Sequence, residues 1–194
     1  VGNLAAEVAD KIGGDVLLVR TSALYHDIGK MLKPDYFTEN QDRFNPHDNL
    51  TEQESAAIII GHVTEGLRLA EKAGLPKPIR DIIQTHHGRS LVKYFYIQAV
   101  NKLGKEQVDE NDFRYPGPNP TPLEQAINMM ADSVEAASRS LKEHTEKTIS
   151  DLVNNIIDAQ MADGVFNECP ITFRDISQAK DTLIKSLMII YHNR

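Results

Sequence analysis

The stretch LYHDIGK, residues 24–30, places an imidazole and a carboxylate side by side in a segment that otherwise has the composition of a buried helix. Apolar residues precede the His26–Asp27 pair, and Ile28 follows it. Burying two such polar side chains is costly unless other groups pair with them. The stretch therefore predicts that residues from elsewhere in the chain come together around His26 and Asp27.

The composition is that of an ordinary globular protein. Of the 194 residues, 41% are apolar and 25% are charged, which suffices for one sizeable domain or two small ones. A net charge of -7 argues against a protein that coats nucleic acid through phosphate contacts. The single cysteine, Cys169, cannot form an internal disulfide, so we expect a reducing compartment and an inert thiol. No apolar run approaches the roughly 18 to 20 residues of a membrane span.

Helical periodicity dominates the chain, and no strand-like alternation lasts long enough to build a sheet. The predicted helices cover residues 1–12, 15–29, 51–74, 79–87, 90–103, 121–141, 148–163 and 173–191. Between them, residues 33–50 and the proline-rich stretch RYPGPNPTP are predicted loops. We therefore predict an all-α fold of about seven or eight helices in a single domain over residues 1–194.

Several helix starts have recognisable capping residues. The stretches TEQE at residues 51–54 and TPLE at residues 121–124 both have the pattern of a capping box. Asp15 and Thr172 are the predicted N-caps of the second and the last helix.

Histidines and aspartates are concentrated on segments that we expect to be buried. They are His26, His62, His86 and His87 among the seven histidines, together with Asp27 and Asp132. A lone histidine on an apolar face is more often a hydrogen-bonded core residue than a ligand, but a set spread over four helices favours a shared site. Such a cluster needs compensating positive charge, which a metal ion supplies.

The ligand types indicate which metals fit. Imidazole and carboxylate without thiolate suit iron, manganese, zinc or a similar divalent ion. Six ligands are too many for one ion that must also bind a substrate, and an aspartate can offer one oxygen to each of two ions. The sequence therefore predicts a two-metal site.

The motif HDIGK resembles the signature of the HD-domain metal-dependent phosphohydrolases, an all-α superfamily, and residues 26–132 match the H…HD…H…HH…D pattern of its two-metal branch after the first histidine. More closely, the chain resembles the cytoplasmic HD domain of the seven-transmembrane HD receptors. Those are the PgpH-type bacterial phosphodiesterases, which hydrolyse cyclic di-AMP to linear pApA. The likeness rests on HDIGK, ENQ…NPHDNLT, IIIGHV, QTHHG, YPGP and ADSVEAASR.

The resemblance implies a hydrolase that acts on a cyclic dinucleotide and has no nucleic-acid polymer as a partner. It implies that the chain is the cytoplasmic domain of a bacterial inner-membrane protein and makes no membrane contact itself. An oligomer is possible. Two alternatives stay open: another HD nucleotide phosphohydrolase, and a catalytically weak sensor domain that binds the cyclic dinucleotide.

The resemblance also implies roles for individual residues. Asp27 would bridge two divalent ions, most simply iron or manganese. The remaining ligands would be divided between the ions, with His26 and Asp132 on the first and His62, His86 and His87 on the second. A hydroxide shared by the ions would attack phosphorus. Lys30 would bind a phosphate oxygen and stabilise the developing charge, a solvated surface lysine being the alternative.

Substrate contacts are predicted at two further positions. Arg139 lies two helical turns after Asp132 and is a second candidate for the phosphate, with an ordinary salt bridge as the alternative. Tyr115, in RYPGP, would stack on a base, although loop rigidity alone explains the prolines. A second HD pair, His47–Asp48, is more simply a turn or a helix cap, with a place for His47 at the site mouth as the alternative.

The start of the chain carries one further expectation. In this family an initial metal-ligating histidine lies just before the segment that matches VGNLA, and the chain begins at Val1. We therefore expect a piece of a longer, membrane-anchored protein with a truncated first helix, an incomplete first metal site and weak activity.

Overall fold

The computed structural model describes residues 1–41 and 44–192 and confirms the all-α fold. Within that part of the chain, the α-helices are α1 (Gly2–Ile12), α2 (Val16–Tyr25), α3 (Glu52–Lys72), α4 (Lys77–Thr85), α5 (Lys93–Leu103), α6 (Leu123–Ser138), α7 (Glu146–Ala162) and α8 (Phe173–His192). None of these helices is long and apolar enough to cross a membrane. In the predicted loop 33–50, Asp42 and Arg43 lie outside the described residues; the described part contains short 3₁₀ turns.

The helices belong to two compact units. The first unit contains α1, α2, α6, α7 and α8, and its core includes Val8, Val19, Ile127, Met130, Ile149, Ile157 and Leu183. The second unit, His26–Pro118, contains α3, α4 and α5, and Ala56, Ala99, Val108 and Phe113 form a small apolar cluster within it. The prediction of a single domain over residues 1–194 stays a prediction.

Three of the predicted helix caps are confirmed. At the start of α3, the Thr51 hydroxyl accepts a hydrogen bond from the Glu54 N–H at 3.2 Å, and the Glu54 carboxylate accepts one from the Thr51 N–H at 2.8 Å. The same pair of hydrogen bonds occurs at the start of α8. The Asp175 carboxylate accepts from the Thr172 N–H, and the Thr172 hydroxyl accepts from the Asp175 N–H. Asp15 accepts from the Leu18 N–H at 2.9 Å. Each cap satisfies N–H groups that have no partner inside the helix.

The predicted capping box at residues 121–124 is wrong. The N-cap residue of α6 is Pro122, and it makes no side-chain capping bond. The Glu124 carboxylate instead accepts a hydrogen bond at 3.0 Å from the N–H of Asp15, just before α2. The Thr121 N–H is bonded to the side-chain oxygen of Gln125 at 3.2 Å. Glu124 therefore joins two helices of the first unit rather than closing its own.

The helix predicted to run to Gly29 ends earlier. α2 stops at Tyr25, and a 3₁₀ turn occupies Ile28–Leu32. A Cβ atom at Gly29 would lie 1.9 Å from the carbonyl oxygen of His62 and 2.6 Å from the backbone nitrogen of Gly66, both in α3. The chain therefore leaves the helical path so that the HDIGK backbone can pass directly against α3, which only glycine allows here.

This close approach predicts a large effect of Gly29→Ala. Because the added methyl group would overlap backbone atoms that cannot rotate away, we expect the substitution to reduce the free energy of unfolding by about 3 kcal/mol. The measurement is urea denaturation followed by circular dichroism. Gly61→Ala is the matched control, since a Cβ at Gly61 has no neighbour within 4 Å. In the interior of α3 it should stabilise the protein by about 1 kcal/mol. Equal effects of the two substitutions would contradict the analysis.

Cys169 offers a second test of the fold. Its side chain is buried, and burial, assisted by the charge of Glu124, raises the pKa of the thiol to about 11. At pH 8 only about one thiol in a thousand would be ionised, so we expect no reaction with an aromatic disulfide reagent over minutes in the native protein. The same reagent should react rapidly and stoichiometrically after unfolding in urea. Rapid labelling of the native protein would show that this region opens.

Candidate metal centre

The second unit brings most of the predicted site residues to one place. His26 and Asp27 occupy the turn between the end of α2 and the 3₁₀ turn Ile28–Leu32. α3 contributes His62 from its middle. α4 ends at Thr85, so the next two residues, His86 and His87, leave the helix together. His62 and His86 are almost fully buried, with 3% and 0% of their surfaces exposed.

Asp27 divides its two carboxylate oxygens between two groups of side chains. Oδ1 lies 3.3 Å from Nε2 of His62 and 3.7 Å from Nε2 of His86. Oδ2 lies 3.2 Å from Nε2 of His26 and 2.8 Å from Nζ of Lys30. One carboxylate thus faces two separate sets of partners, which is the arrangement that a bridging ligand requires.

The hydrogen bonds of His62 and His86 fix their tautomers. Nδ1 of His62 lies 2.5 Å from the carbonyl oxygen of Ile59, and Nδ1 of His86 lies 2.7 Å from that of Ile83. Because a carbonyl oxygen only accepts, each Nδ1 carries the proton, and in a neutral ring each Nε2 then presents a lone pair. The two Nε2 atoms are 3.1 Å apart. In neutral rings, two lone pairs and a carboxylate oxygen therefore converge.

His87 is held by aromatic contacts. Its ring centroid lies 4.1 Å from that of His86, and Tyr115 stacks on it at 4.3 Å with an angle of 24° between the planes. Tyr115 is itself buried and touches His62 edge-on at 6.1 Å. The predicted substrate-contact residue Tyr115 therefore packs against the histidines.

Asp27 stays ionised in this setting. Burial alone would raise the pKa of its carboxyl group, but the hydrogen bond with His26 and the neighbouring Lys30 ammonium hold it well below the ordinary value. A depressed folded-state pKa adds stability above the usual aspartate pKa of about 3.9, and that stability is lost as the pH falls below it. The pKa of Lys30 is raised: burial lowers it, but Asp27 and Glu39 outweigh burial.

These residues fit a metal ion. Asp27, His62, His86 and His87 each offer one ligand atom, and the four atoms lie within 4.8 Å of one another. The Nδ1 bonds to Ile59 and Ile83 are the outer contacts that usually orient a metal-binding imidazole and fix its tautomer. A cation would pair favourably with converging lone pairs and a carboxylate. The His/Asp group is therefore suited to binding a metal ion.

Two predicted site residues belong to the other unit. Asp132 lies in the middle of α6, as predicted, and is 9% exposed. Arg139 follows the last residue of α6, and its guanidinium donates to both carboxylate oxygens of Glu135. The roles of Asp132 as a ligand and of Arg139 as a phosphate contact stay predictions.

Two residues beside Lys30 had no role assigned from the sequence. Nζ of Lys30 lies 2.6 Å from a carboxylate oxygen of Glu39 and 5.1 Å from the ring centroid of Phe37. Phe37 is buried and also meets His62 edge-on, with ring centroids 5.5 Å apart. Both residues come from the predicted polar loop. Glu39 belongs to the stretch ENQ, one of the stretches on which the family resemblance rests. That resemblance did not predict its contact with Lys30.

His47, the second HD histidine, has a packing role in the second unit. Its Nε2 donates to the carbonyl oxygen of Tyr36 at 2.9 Å. Its ring contacts those of Tyr36 and Phe95, with centroids 5.2 and 4.9 Å away. These contacts favour the interpretation of the His47–Asp48 pair as part of a turn, and Pro46–Asn49 is indeed a 3₁₀ turn.

The family model for the HD domain matches residues 1–137. The chain, with its all-α fold and its His/Asp cluster, belongs to the HD domain family.

Particular relatives are also similar over the full chain. The cyclic-di-AMP phosphodiesterase PgpH of Listeria monocytogenes is 48% identical over 195 residues, which cover 100% of this chain and 27% of the relative. The Bacillus subtilis protein of the same name is 44% identical over the same shares. The crystal structure of the L. monocytogenes PgpH HD domain in complex with cyclic di-AMP has a TM-score of 0.94 at 46% identity, covering 98% of this chain and 88% of that one. The chain thus spans 27% of the length of the curated relatives.

The converging lone pairs predict metal-dependent stability. Because an ion that binds only the folded state stabilises it, Mn²⁺ at a hundredfold excess over its Kd should raise the free energy of unfolding by about 3 kcal/mol, and EDTA should remove the gain. Urea denaturation and elemental analysis measure the two quantities. His62→Gln should lose at least one bound ion per chain and most of the stability gain.

The matched control is His144→Gln. The His144 ring stacks on Tyr191, and its Nε2 donates to the carbonyl oxygen of Ser138, both in the first unit. This variant should bind as much Mn²⁺ as the unchanged protein. If His62→Gln and His144→Gln bind equal amounts of metal, His62 is not a ligand.

Proposed function

We propose that this chain is a two-metal phosphodiesterase that hydrolyses a cyclic dinucleotide, namely cyclic di-AMP, to linear pApA. Water adds to one phosphorus, the bond to the 3′ oxygen breaks, and a proton ends on that oxygen. The product carries a 5′ phosphate at one end.

The observation that carries the proposal is the division of the Asp27 oxygens. Oδ1 faces His62 and His86 at 3.3 and 3.7 Å, whereas Oδ2 faces His26 at 3.2 Å. In a site for a single ion, every carboxylate oxygen that binds the ion would be directed to the same place. Two directions support two ions, and a pair of ions on one bridging carboxylate is the usual arrangement in enzymes that cleave phosphate esters.

The choice of substrate rests on the relatives. Two of them are named cyclic-di-AMP phosphodiesterases, and the crystallised HD domain contains cyclic di-AMP. This chain covers only 27% of the curated proteins, so their activity is carried over as part of the proposal. No residue described above selects adenine over guanine by itself. The preference for cyclic di-AMP is therefore inferred from similarity alone.

The proposed ligand sets follow the two directions of Asp27. His62, His86 and His87 would hold one ion together with Oδ1. His26 would hold the other with Oδ2, and Asp132 is the ligand proposed to join it. Imidazole and carboxylate ligands without thiolate support iron or manganese as the metal. When bound, such ions supply positive charge and lower the pKa of water toward neutrality.

Lys30 is the proposed phosphate-binding residue. Its ammonium lies 2.8 Å from the bridging carboxylate, and only 20% of its side chain is exposed. An ammonium this close to the ligands would bind a non-bridging phosphate oxygen and stabilise the charge that develops as the ester bond breaks. These contacts favour the proposed role over that of a freely solvated surface lysine.

The remaining assignments concern Tyr115, Arg139 and the location of the protein. The stacking of Tyr115 on His87 supports a role in holding that ring rather than a base. The paired bonds from Arg139 to Glu135 favour the salt-bridge interpretation of that residue. A cytoplasmic location within a bacterial membrane protein also stays a proposal.

The test is turnover of cyclic di-AMP with Mn²⁺ or Fe²⁺, with pApA identified by chromatography. Asp27→Asn removes the bridging charge and should abolish product formation. Lys30→Met should reduce kcat by about 100-fold while metal content is retained. His144→Gln, which alters a ring outside the cluster, should leave turnover unchanged.

The other outcomes separate the alternatives. Hydrolysis of cyclic di-GMP or of nucleoside triphosphates in preference to cyclic di-AMP would identify a different HD nucleotide phosphohydrolase. Tight binding of cyclic di-AMP by metal-loaded protein with no pApA formed would support a sensor domain. Either result would overturn the proposed reaction.

A further inference from the structure

Lys30 has two carboxylate partners within the second unit. Its Nζ lies 2.8 Å from Oδ2 of Asp27 and 2.6 Å from Oε1 of Glu39. Phe37 lies beside the ammonium, with its ring centroid 5.1 Å from Nζ. Lys30, Glu39 and Phe37 thus form a small cluster that the ligand set does not include.

The two partners differ once metal ions are bound. In the proposed function, Oδ2 of Asp27 is the oxygen that serves the ion held by His26. That oxygen would then face a divalent cation, and its negative charge would be shared with the ion. An ammonium at the same oxygen is repelled by the cation at short range. Lys30 would therefore lose most of its attraction to Asp27 when the ions bind.

Glu39 is placed differently. It is absent from the described groups of side chains that are suited to a metal ion. It lies in the short 3₁₀ turn Thr38–Asn40, and its side chain is 36% exposed. Its negative charge therefore stays available to Lys30 whether or not Asp27 binds metal.

The turn that carries Glu39 is anchored next to the site. Phe37 immediately precedes it, is 5% exposed and contacts the ring of His62. The anchored aromatic ring fixes where residues 38–40 start relative to the histidines. Glu39 consequently reaches Lys30 from a defined position.

We propose that Glu39 is a positioning residue whose carboxylate keeps the Lys30 ammonium beside the reacting phosphate when the metal ions bind Asp27. This inference rests on the proposed function for the phosphate, although the retention of Lys30 by Glu39 requires only bound metal. An ammonium has three N–H donors, so Lys30 can donate to Glu39 and to a phosphate oxygen at once.

The first experiment is a double-mutant cycle on the Mn²⁺-loaded protein with cyclic di-AMP. Glu39→Gln keeps the shape but removes the charge, and it should lower kcat/KM by about tenfold with metal content and Tm unchanged. In a Lys30→Met background the same substitution should have no further effect. A purely structural role for Glu39 would instead lower kcat/KM by the same factor in both backgrounds and would overturn the proposal.

Asp35→Asn is the matched control. Asp35 is an exposed carboxylate in the neighbouring 3₁₀ turn Pro34–Tyr36, and replacing it removes the same charge from the same segment. It should leave kcat/KM within about twofold of the unchanged protein. An equal loss in Asp35→Asn and Glu39→Gln would show a general charge effect and not positioning.

The second experiment does not depend on turnover. A crystal structure of the Mn²⁺-loaded protein should show Nζ of Lys30 still bonded to Glu39 and withdrawn from Oδ2 of Asp27. Loss of the Lys30–Glu39 contact in that crystal would overturn the positioning role even if cyclic di-AMP is hydrolysed. If the contact persists but no dinucleotide is hydrolysed, the proposed function fails while the retention of Lys30 by Glu39 stands.

Discussion

Two imidazole nitrogens, Nε2 of His62 and Nε2 of His86, meet at 3.1 Å because each ring has already donated its other N–H to a backbone carbonyl. Both nitrogens then offer lone pairs to the same point, where Oδ1 of Asp27 also lies. Without a cation this arrangement is repulsive, and with one it becomes a ligand set. The His/Asp group of the second unit is therefore suited to binding a cation.

The route of the backbone serves the same centre. Gly29 passes so close to α3 that a methyl group would meet the carbonyl oxygen of His62 at 1.9 Å. That contact sets the HDIGK turn directly against His62, whose ring is a proposed metal ligand. An uninterrupted helix through Gly29 would not bring its backbone into this position, so α2 ends at Tyr25. The helix predicted over residues 15–29 was too long because apolar periodicity indicates which residues are buried, not where a helix ends. The end of α2 depends on the contact between Gly29 and α3, which lies more than 30 residues away in the sequence.

The features that could be predicted are those that depend on residues close together in the sequence. Apolar periodicity located the helices, and the Thr51 and Thr172 caps follow from side chains three residues apart. The candidate site residues were proposed from residue types and a resemblance, and four of them, Asp27, His62, His86 and His87, lie together in the structure. The capping box predicted at residues 121–124 was wrong because Glu124 accepts a hydrogen bond from Asp15, which is 109 positions away. The residues around Glu124 do not indicate such a distant partner. The Lys30–Glu39 ion pair could not be predicted either, because the irregular segment between the two residues has no helical or strand periodicity that would place their side chains.

The charges of the proposed metal centre would account for a lysine next to its proposed ligands. Neutral imidazoles add no charge, so two divalent ions would bring more positive charge than Asp27 and the proposed ligand Asp132 neutralise. A lysine alone would add to that excess of positive charge. Paired with Glu39 at 2.6 Å, Lys30 contributes almost no net charge, yet it still presents N–H donors at a fixed place. In the proposed function, the remaining positive charge would attract an anionic phosphodiester to the place where its ester bond is attacked.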